Sequence, residues 1–147
     1  MTWVHEKIYA AGGTHVPSTW SDFSDQTGIK AVLHLGGDEP SWFVGPPPDA
    51  FLWMKVNKES EAGLEERILA ARFIHDNVHD GRAVLLHSSQ GRHRTRWAYV
   101  AYCLYSGRKL KPVLREVAER PWLSPYNTDE LAWEAFVALL NARSEKP

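Results

Sequence analysis

The chain has 147 residues, 44% hydrophobic and 24% charged, with 17 basic and 18 acidic side chains and a formal net charge of −1. That balance predicts one globular domain over residues 1–147 and excludes a strongly basic or acidic surface, so neither nucleic acid nor an anionic membrane is expected as a partner. Cys103 is the only cysteine, which rules out an internal disulfide and points to a reducing, cytoplasmic setting.

Met1 to Lys7 lacks a basic segment followed by an apolar run, and no stretch approaches the ~18 apolar residues a membrane span needs. The expectation is a soluble, untargeted chain. Trp3 to Tyr9 alternates apolar and polar residues and reads as an edge strand or hairpin arm closed by a turn at Gly12-Gly13. Pro17 to Gln26 then fits a short helix, and Thr27-Gly28 punctuates before Ile29 to Leu35, an apolar run broken by Lys30 and His34 that fits a buried strand. Gly36-Gly37 ends that strand. The segment with Pro40, Gly45 and Pro46-Pro47-Pro48 cannot donate to a central ladder and reads as a surface connection.

Phe51 to Val56 is the next strand candidate. Ala62 to Val78 predicts a helix, since Leu64, Ile68, Ala71 and Val78 recur at helical spacing, and Gly81 ends that unit. Ala83-Val84-Leu85-Leu86 has the character of a central strand and leads directly into His87-Ser88-Ser89-Gln90-Gly91-Arg92-His93-Arg94-Thr95. A helix should start near Thr95, with Trp97, Val100, Ala101, Leu104 and Tyr105 as its apolar stripe and Gly107 at its end. Pro112 suits the first turn of another helix, and Asn127 with Glu130 could cap a last one running to Ala142. Strands mixed with helices over one domain imply an α/β fold, a sheet covered by helices.

A strand, a tight loop containing Gly91 and a helix beginning near Thr95 gather backbone N–H groups and the positive end of a helix dipole around one point, which binds a phosphate dianion. Arg94 is placed to clasp two phosphate oxygens with its guanidinium, while Arg92 and His93 add positive potential at the rim. A phosphate or sulfate ion is the expected occupant of Ser88 to Thr95.

This run resembles the signature of the cysteine-dependent protein tyrosine and dual-specificity phosphatases, of the small or atypical kind: His-Cys, any two residues, Gly, any two residues, Arg, then Ser or Thr. Every fixed position matches except Ser88, which stands where that family keeps its nucleophile. The opening Lys7-Ile8-Tyr9, Gly28 to Val32, Arg120-Pro121 and Ser124-Pro125 follow the order of such a chain over nearly its whole length. The resemblance implies a mostly parallel central sheet flanked by helices, with the phosphate loop between a central strand and a helix. It also implies a phosphatase that needs no metal or organic cofactor and acts on phosphotyrosine, or on phosphoserine and phosphothreonine, through a phosphocysteine intermediate. Arg94 would hold the phosphate, Thr95 would assist departure of the thiolate, and His87 would support the loop.

A serine hydroxyl without an adjacent strong base stays protonated, so phosphate binding should persist while turnover falls by orders of magnitude. A cysteine-to-serine change made to trap ligand is the favoured explanation of Ser88, because the rest of the loop is intact. The other is a natural pseudophosphatase that binds phosphorylated partners without catalysis. The family places its general acid, an aspartate, two residues after the strand valine; counting from Val56 gives Lys58, and Glu59 is the carboxylate chosen instead, with Glu61 near it. Asn57-Lys58-Glu59 with Gly91 to Thr95 also resembles plant and fungal atypical members that include inositol pyrophosphate phosphatases. In that alternative Lys58, Arg92 and His93 would contact further phosphates of a small molecule.

Blander readings compete. His87 to Gly91 approximates the nucleophile elbow of serine hydrolases, but those need a later histidine as base and none follows His93. His75 and His79 could begin a metal site; an ordinary solvated helix face is the favoured reading, and no metal is expected. Tyr99, Tyr102 and Tyr105 read as helix packing, and Trp42, Phe43 and Trp53 as loop anchors rather than a pocket wall.

Overall fold

The structure is a computed structural model that describes residues 1–13, 19–37, 47–89, 92–120 and 126–143, with Arg92 described by its backbone alone. The expectations for Pro17, Pro40 to Pro46, Gln90, Gly91, Pro121 and Ser124-Pro125 lie outside these residues, as do those for Trp42 and Phe43.

Strands β1 (Thr2–His5) and β2 (Ile8–Gly12) form an antiparallel hairpin. The chain reverses at Glu6-Lys7, with Glu6 at φ +46°, rather than at Gly12-Gly13. A glutamate in the left-handed region is no turn signal in sequence; the Trp3 indole N–H helps hold it by donating to the Glu6 carbonyl at 2.8 Å. Helix α1 runs Trp20–Thr27, with the Thr19 hydroxyl accepting from the Asp22 N–H and Gly28 at φ +77° closing the last turn. Strand β3 (Ile29–Leu35) follows as expected, and β4 spans Ala50–Met54. Beyond it come a 3₁₀ turn at Glu59–Glu61 and helix α2 (Leu64–His79).

Strand β5 (Ala83–Ser88) leads into a 3₁₀ turn at Arg92–Thr95 and helix α3 (Arg96–Tyr105). Helices α4 (Leu110–Glu119) and α5 (Glu130–Arg143) complete the chain. The α5 cap is Asp129, whose carboxylate accepts from the Leu131 N–H at 3.0 Å. Asn127 is not the cap, because the helix starts at Glu130 and the side chain immediately ahead of it takes the free N–H.

The five strands lie in the order β1-β2-β5-β3-β4, and every pairing except β1 with β2 is parallel. The sheet sorts its side chains by the period of two. Ala31, Leu33, Leu35, Val84 and Leu86 face a core built with α2 to α5, while Val32 and Leu85 pack with Trp20 and Phe23 of α1, joined by Ile29, which a register irregularity before Ala31 takes out of the alternation. Each fully buried leucine or isoleucine in these strands contributes roughly 1.5–3 kcal/mol relative to exposure. In α3, Trp97, Val100, Ala101, Leu104 and Tyr105 are all buried, as their spacing implies. The far end of α4 is tied to the first strand through Arg120, which donates to the Val4 carbonyl and pairs with Glu116.

Two histidines sit side by side within this sheet. His34 of β3 and His87 of β5 are register partners, their Nδ1 atoms 2.9 Å apart, and His87 Nε2 lies 3.2 Å from the Gly13 carbonyl. The Nε2–H tautomer of His87 donates to Gly13 and leaves Nδ1 to accept from His34. Burial, together with the neighbouring His34, lowers the His87 pKa from 6.5 to about 4, so the folded protein holds a neutral ring. An unfolded chain takes up that proton first as pH falls, so the contribution is fully present above about pH 6.5 and is lost towards about 4. Urea unfolding across this window should show stability falling by up to about 1.4 kcal/mol per pH unit from this group, with a shallower slope in His87→Gln. An identical slope in the variant would contradict the assignment.

Candidate functional site

In a parallel sheet the strands end on one side, and the loops leaving those ends share one crevice. Here β2 ends at Gly12, β3 at Leu35, β4 at Met54 and β5 at Ser88. Ser88 pairs in register with Gly12 on one side and Leu35 on the other, and its carbonyl accepts from the Gly13 N–H at 3.0 Å. Ser88 is therefore in the middle of the sheet edge, buried at 1% exposure. Ser89 follows in a turn, and the 3₁₀ turn then sets His93 and Arg94 at the surface and Thr95 beneath it, again at 1% exposure. Helix α3 begins at Arg96 and brings its positive end next to the end of β5.

The loop after β4 reaches the same point. Asn57 is its hinge: its side-chain carbonyl accepts from the Gly37 N–H at 3.0 Å, its N–H donates to Glu61 at 2.9 Å, and its main-chain carbonyl accepts from Arg94 Nη1 at 2.6 Å. Lys58 is thereby held next to Arg94. A cavity of about 180 Å³ opens between them, lined by Lys58, Glu59, His93 and Arg94 with Arg96 and Tyr126 among its other walls. Two roomier clefts, of about 520 and 750 Å³, border the 126–129 segment instead; the smaller cavity carries the phosphate argument because it alone of the three includes Arg94.

Glu59 is engaged by the C-terminal part of the chain. The Tyr126 hydroxyl donates to one carboxylate oxygen at 2.6 Å, Thr128 donates to the other, and the Trp133 indole donates to the Thr128 hydroxyl at 2.8 Å. Burial and the adjacent Glu59 carboxylate push the Tyr126 phenol well above its ordinary pKa, which keeps the donor protonated. The Glu59 main-chain carbonyl accepts from Arg67, a buried guanidinium stacked 4.2 Å from the Trp133 ring centre.

Sequence reasoning located Ser88, Ser89, His93, Arg94, Thr95, His87, Lys58 and Glu59, and the structure gathers all of them at or just beneath the carboxyl edge of the sheet or the loop beside it. Gln90, Gly91 and the Arg92 side chain lie outside the description. Arg96, Tyr126 and Thr128 were missed, and Asn57 was read only as part of a three-residue motif, not as the residue that holds Arg94. Only Arg96 had a local signal, a cation directly after the loop; the others act through contacts 37, 67 and 69 residues apart in sequence.

Other sequence candidates resolve simply. His75 and His79 stack on each other on the α2 surface at 5.9 Å, and no cluster of three metal-ligating side chains exists among the described residues. Trp53 anchors the end of β3 by donating to the Gly36 carbonyl at 2.7 Å. Cys103 is buried in α3, and burial pushes its thiol up to about 11. Among the described residues, no helix is long and apolar enough to cross a membrane.

No family model matches the sequence, and no curated protein sequence does. Solved structures do match over nearly the whole chain. A mouse putative dual specificity phosphatase complexed with zinc tungstate is similar at a TM-score of 0.71 and 19% identity, covering 96% of this chain and 88% of that one. Human DUSP28 is similar at 0.70 and 16%, covering 93% and 95%. PTPMT1, in complex with PI(5)P, is similar at 0.69 and 14%, covering 92% and 94%. With its mixed five-stranded sheet, flanking helices and strand-to-helix loop at Ser88, the chain has the fold of the dual-specificity phosphatases.

Proposed function

We propose that the chain is built as a phosphate-monoester hydrolase of the cysteine-phosphatase type and that Ser88 holds it in a binding-competent, catalytically silent form. The observation that carries this reading is Arg94 fixed at the rim of the loop between β5 and α3, beside the positive end of a helix, with Ser88 at the loop's base. The tungstate and PI(5)P named for two of the similar structures are the oxyanion and phosphorylated-ligand chemistry such a loop takes. Phosphorylated protein side chains and small phosphorylated molecules are both admissible substrates.

With cysteine at position 88, a thiolate stabilised by the loop amides and helix terminus attacks phosphorus as the bond to the substrate's ester oxygen breaks, that oxygen leaves as an anion and is protonated by solvent, and water hydrolyses the phosphocysteine to phosphate and thiolate. Arg94 neutralises charge on the non-bridging oxygens, and Thr95 is placed under the loop to assist departure of the sulfur. Serine supports the binding half of this sequence and not the attack. That the other described loop positions are in place supports a cysteine replaced by serine over a wholesale loss of function.

Proton delivery is the step where the geometry argues against the sequence choice. Both oxygens of Glu59 are already occupied by hydroxyl donors, which join it to Tyr126 and Thr128. We assign Glu59 to positioning that segment. A cysteine form lacking a carboxylic acid would depend on leaving groups that depart without help, phenols above alkyl alcohols.

Ser88→Cys should hydrolyse p-nitrophenyl phosphate at least about 10³-fold faster than the protein with serine, a difference of roughly 4 kcal/mol in barrier, and Arg94→Ala in the cysteine form should abolish the gain. A cysteine form no faster than the serine form would overturn the hydrolase reading in favour of a phosphate-binding pseudoenzyme. In the same background, Glu59→Gln should lower the melting temperature yet leave the pH profile of kcat unaltered. An alkaline limb present with Glu59 and lost in the variant would restore Glu59 as the general acid.

A further inference from the structure

The chain as a whole is nearly neutral, yet one face of α4 carries two cations with nothing to balance them. Lys111 and Arg115 are four residues apart on this helix, both exposed, and neither makes an ion pair or hydrogen bond among the described residues. Like charges at this spacing repel each other and weaken a helix, so the pair does not serve the stability of α4. The arginines that flank the same helix are engaged differently, since Arg108 and Arg120 both pair with Glu116.

Lys111 and Arg115 both line the cleft of about 520 Å³ that α4 forms with the start of α5, where Leu114 and Ala118 supply apolar wall and Glu130 is the one carboxylate. This cleft adjoins the site at the sheet edge. Tyr126 and Asn127 line it and also line the smaller cavity beside Arg94, and the Tyr126 hydroxyl is fixed on Glu59 at 2.6 Å. Asn127 is exposed, and its carboxamide has no hydrogen-bond partner among the described residues. A free carboxamide offers two donor hydrogens and an acceptor, the complement of a peptide unit.

We propose that the cleft between α4 and α5 is a docking surface for an acidic segment of a phosphorylated protein. The proposal rests on the phosphate-loop reading above and selects the protein side chain from the two kinds of substrate that reading admits. The phosphorylated residue sits in the loop, the peptide backbone beside it hydrogen-bonds to Asn127, and a carboxylate further along the peptide lies between the Lys111 ammonium and the Arg115 guanidinium. Charge complementarity decides the occupant: two solvated cations with no partner of their own favour a carboxylate-bearing segment over a neutral or basic one. A nucleic acid would need a longer basic surface than two side chains.

Fluorescence anisotropy of the protein with serine at position 88 tests this without turnover. The probes are two labelled phosphotyrosine peptides of equal length, one with glutamates on both sides of the phosphotyrosine and one with glutamines in their place. The acidic peptide should bind about fivefold or more tightly, by an advantage that shrinks as salt is raised. Combining Lys111→Gln with Arg115→Gln should remove most of that advantage while the glutamine peptide keeps its affinity within about twofold. Lys7→Gln, ahead of β2 at the opposite end of the sheet, should leave the advantage in place. Equal affinity for the two peptides, or an advantage that survives the double substitution, would overturn the docking surface. Asn127→Ala should weaken both peptides alike and spare inorganic phosphate; if it spares the peptides too, the proposed path from loop to cleft falls. The loop reading fails separately if Arg94→Ala leaves the affinity for the glutamine peptide intact, and if neither peptide binds both readings fall.

Discussion

The site depends on β5 lying between β2 and β3 and running parallel to both. Parallel pairing brings three strand ends to one edge, and the central position puts Ser88 where the loops from its neighbours converge. The same pairing sets His34 against His87 and joins His87 to Gly13, so the residue before the loop is hydrogen-bonded to both flanking strands. A shift of one residue in this register would send Leu86 and His87 to the opposite faces and carry Ser88 out of the crevice.

On that frame, two sets of contacts divide the tasks at the edge. Asn57 gathers the ends of β3 and β4 and presents a carbonyl to Arg94, which ties the Arg94 guanidinium to the backbone just before Lys58. Glu59, Tyr126, Thr128, Trp133 and Arg67 form the other set, which fastens the segment before α5 to the loop after β4. In the proposed reading, the first set would bind an oxyanion and the second would shape the surrounding wall.

Much of this was legible from local pattern. The run from Ala83 to Thr95 encodes strand, loop and helix within thirteen consecutive residues, so its meaning needs no knowledge of distant partners. Apolar spacing also located α2 and α3, and Gly28 and Gly107 marked helix ends by tolerating positive φ. The failures share a cause. The hairpin reverses at Glu6, a residue with no turn propensity, while the glycines at 12 and 13 suggested a later turn. Asn57, Tyr126 and Thr128 took their roles from partners far along the chain, and Glu59 was chosen as an acid on proximity before its two hydroxyl donors were visible. Asp129 displaced Asn127 as the cap because the boundary of α5 fell only two or three residues from the alternative, a difference that spacing alone does not resolve.

The central claim is that the segment from Ser88 to Thr95 is an oxyanion cradle with Arg94 as its clasp. A crystal structure of this protein grown with tungstate tests that most directly, since the metal marks the ligand without ambiguity. The account predicts one tungstate inside the loop, above Ser88, held by loop N–H groups and by two nitrogens of Arg94. Tungstate bound only elsewhere on the surface, with the loop vacant, would contradict it.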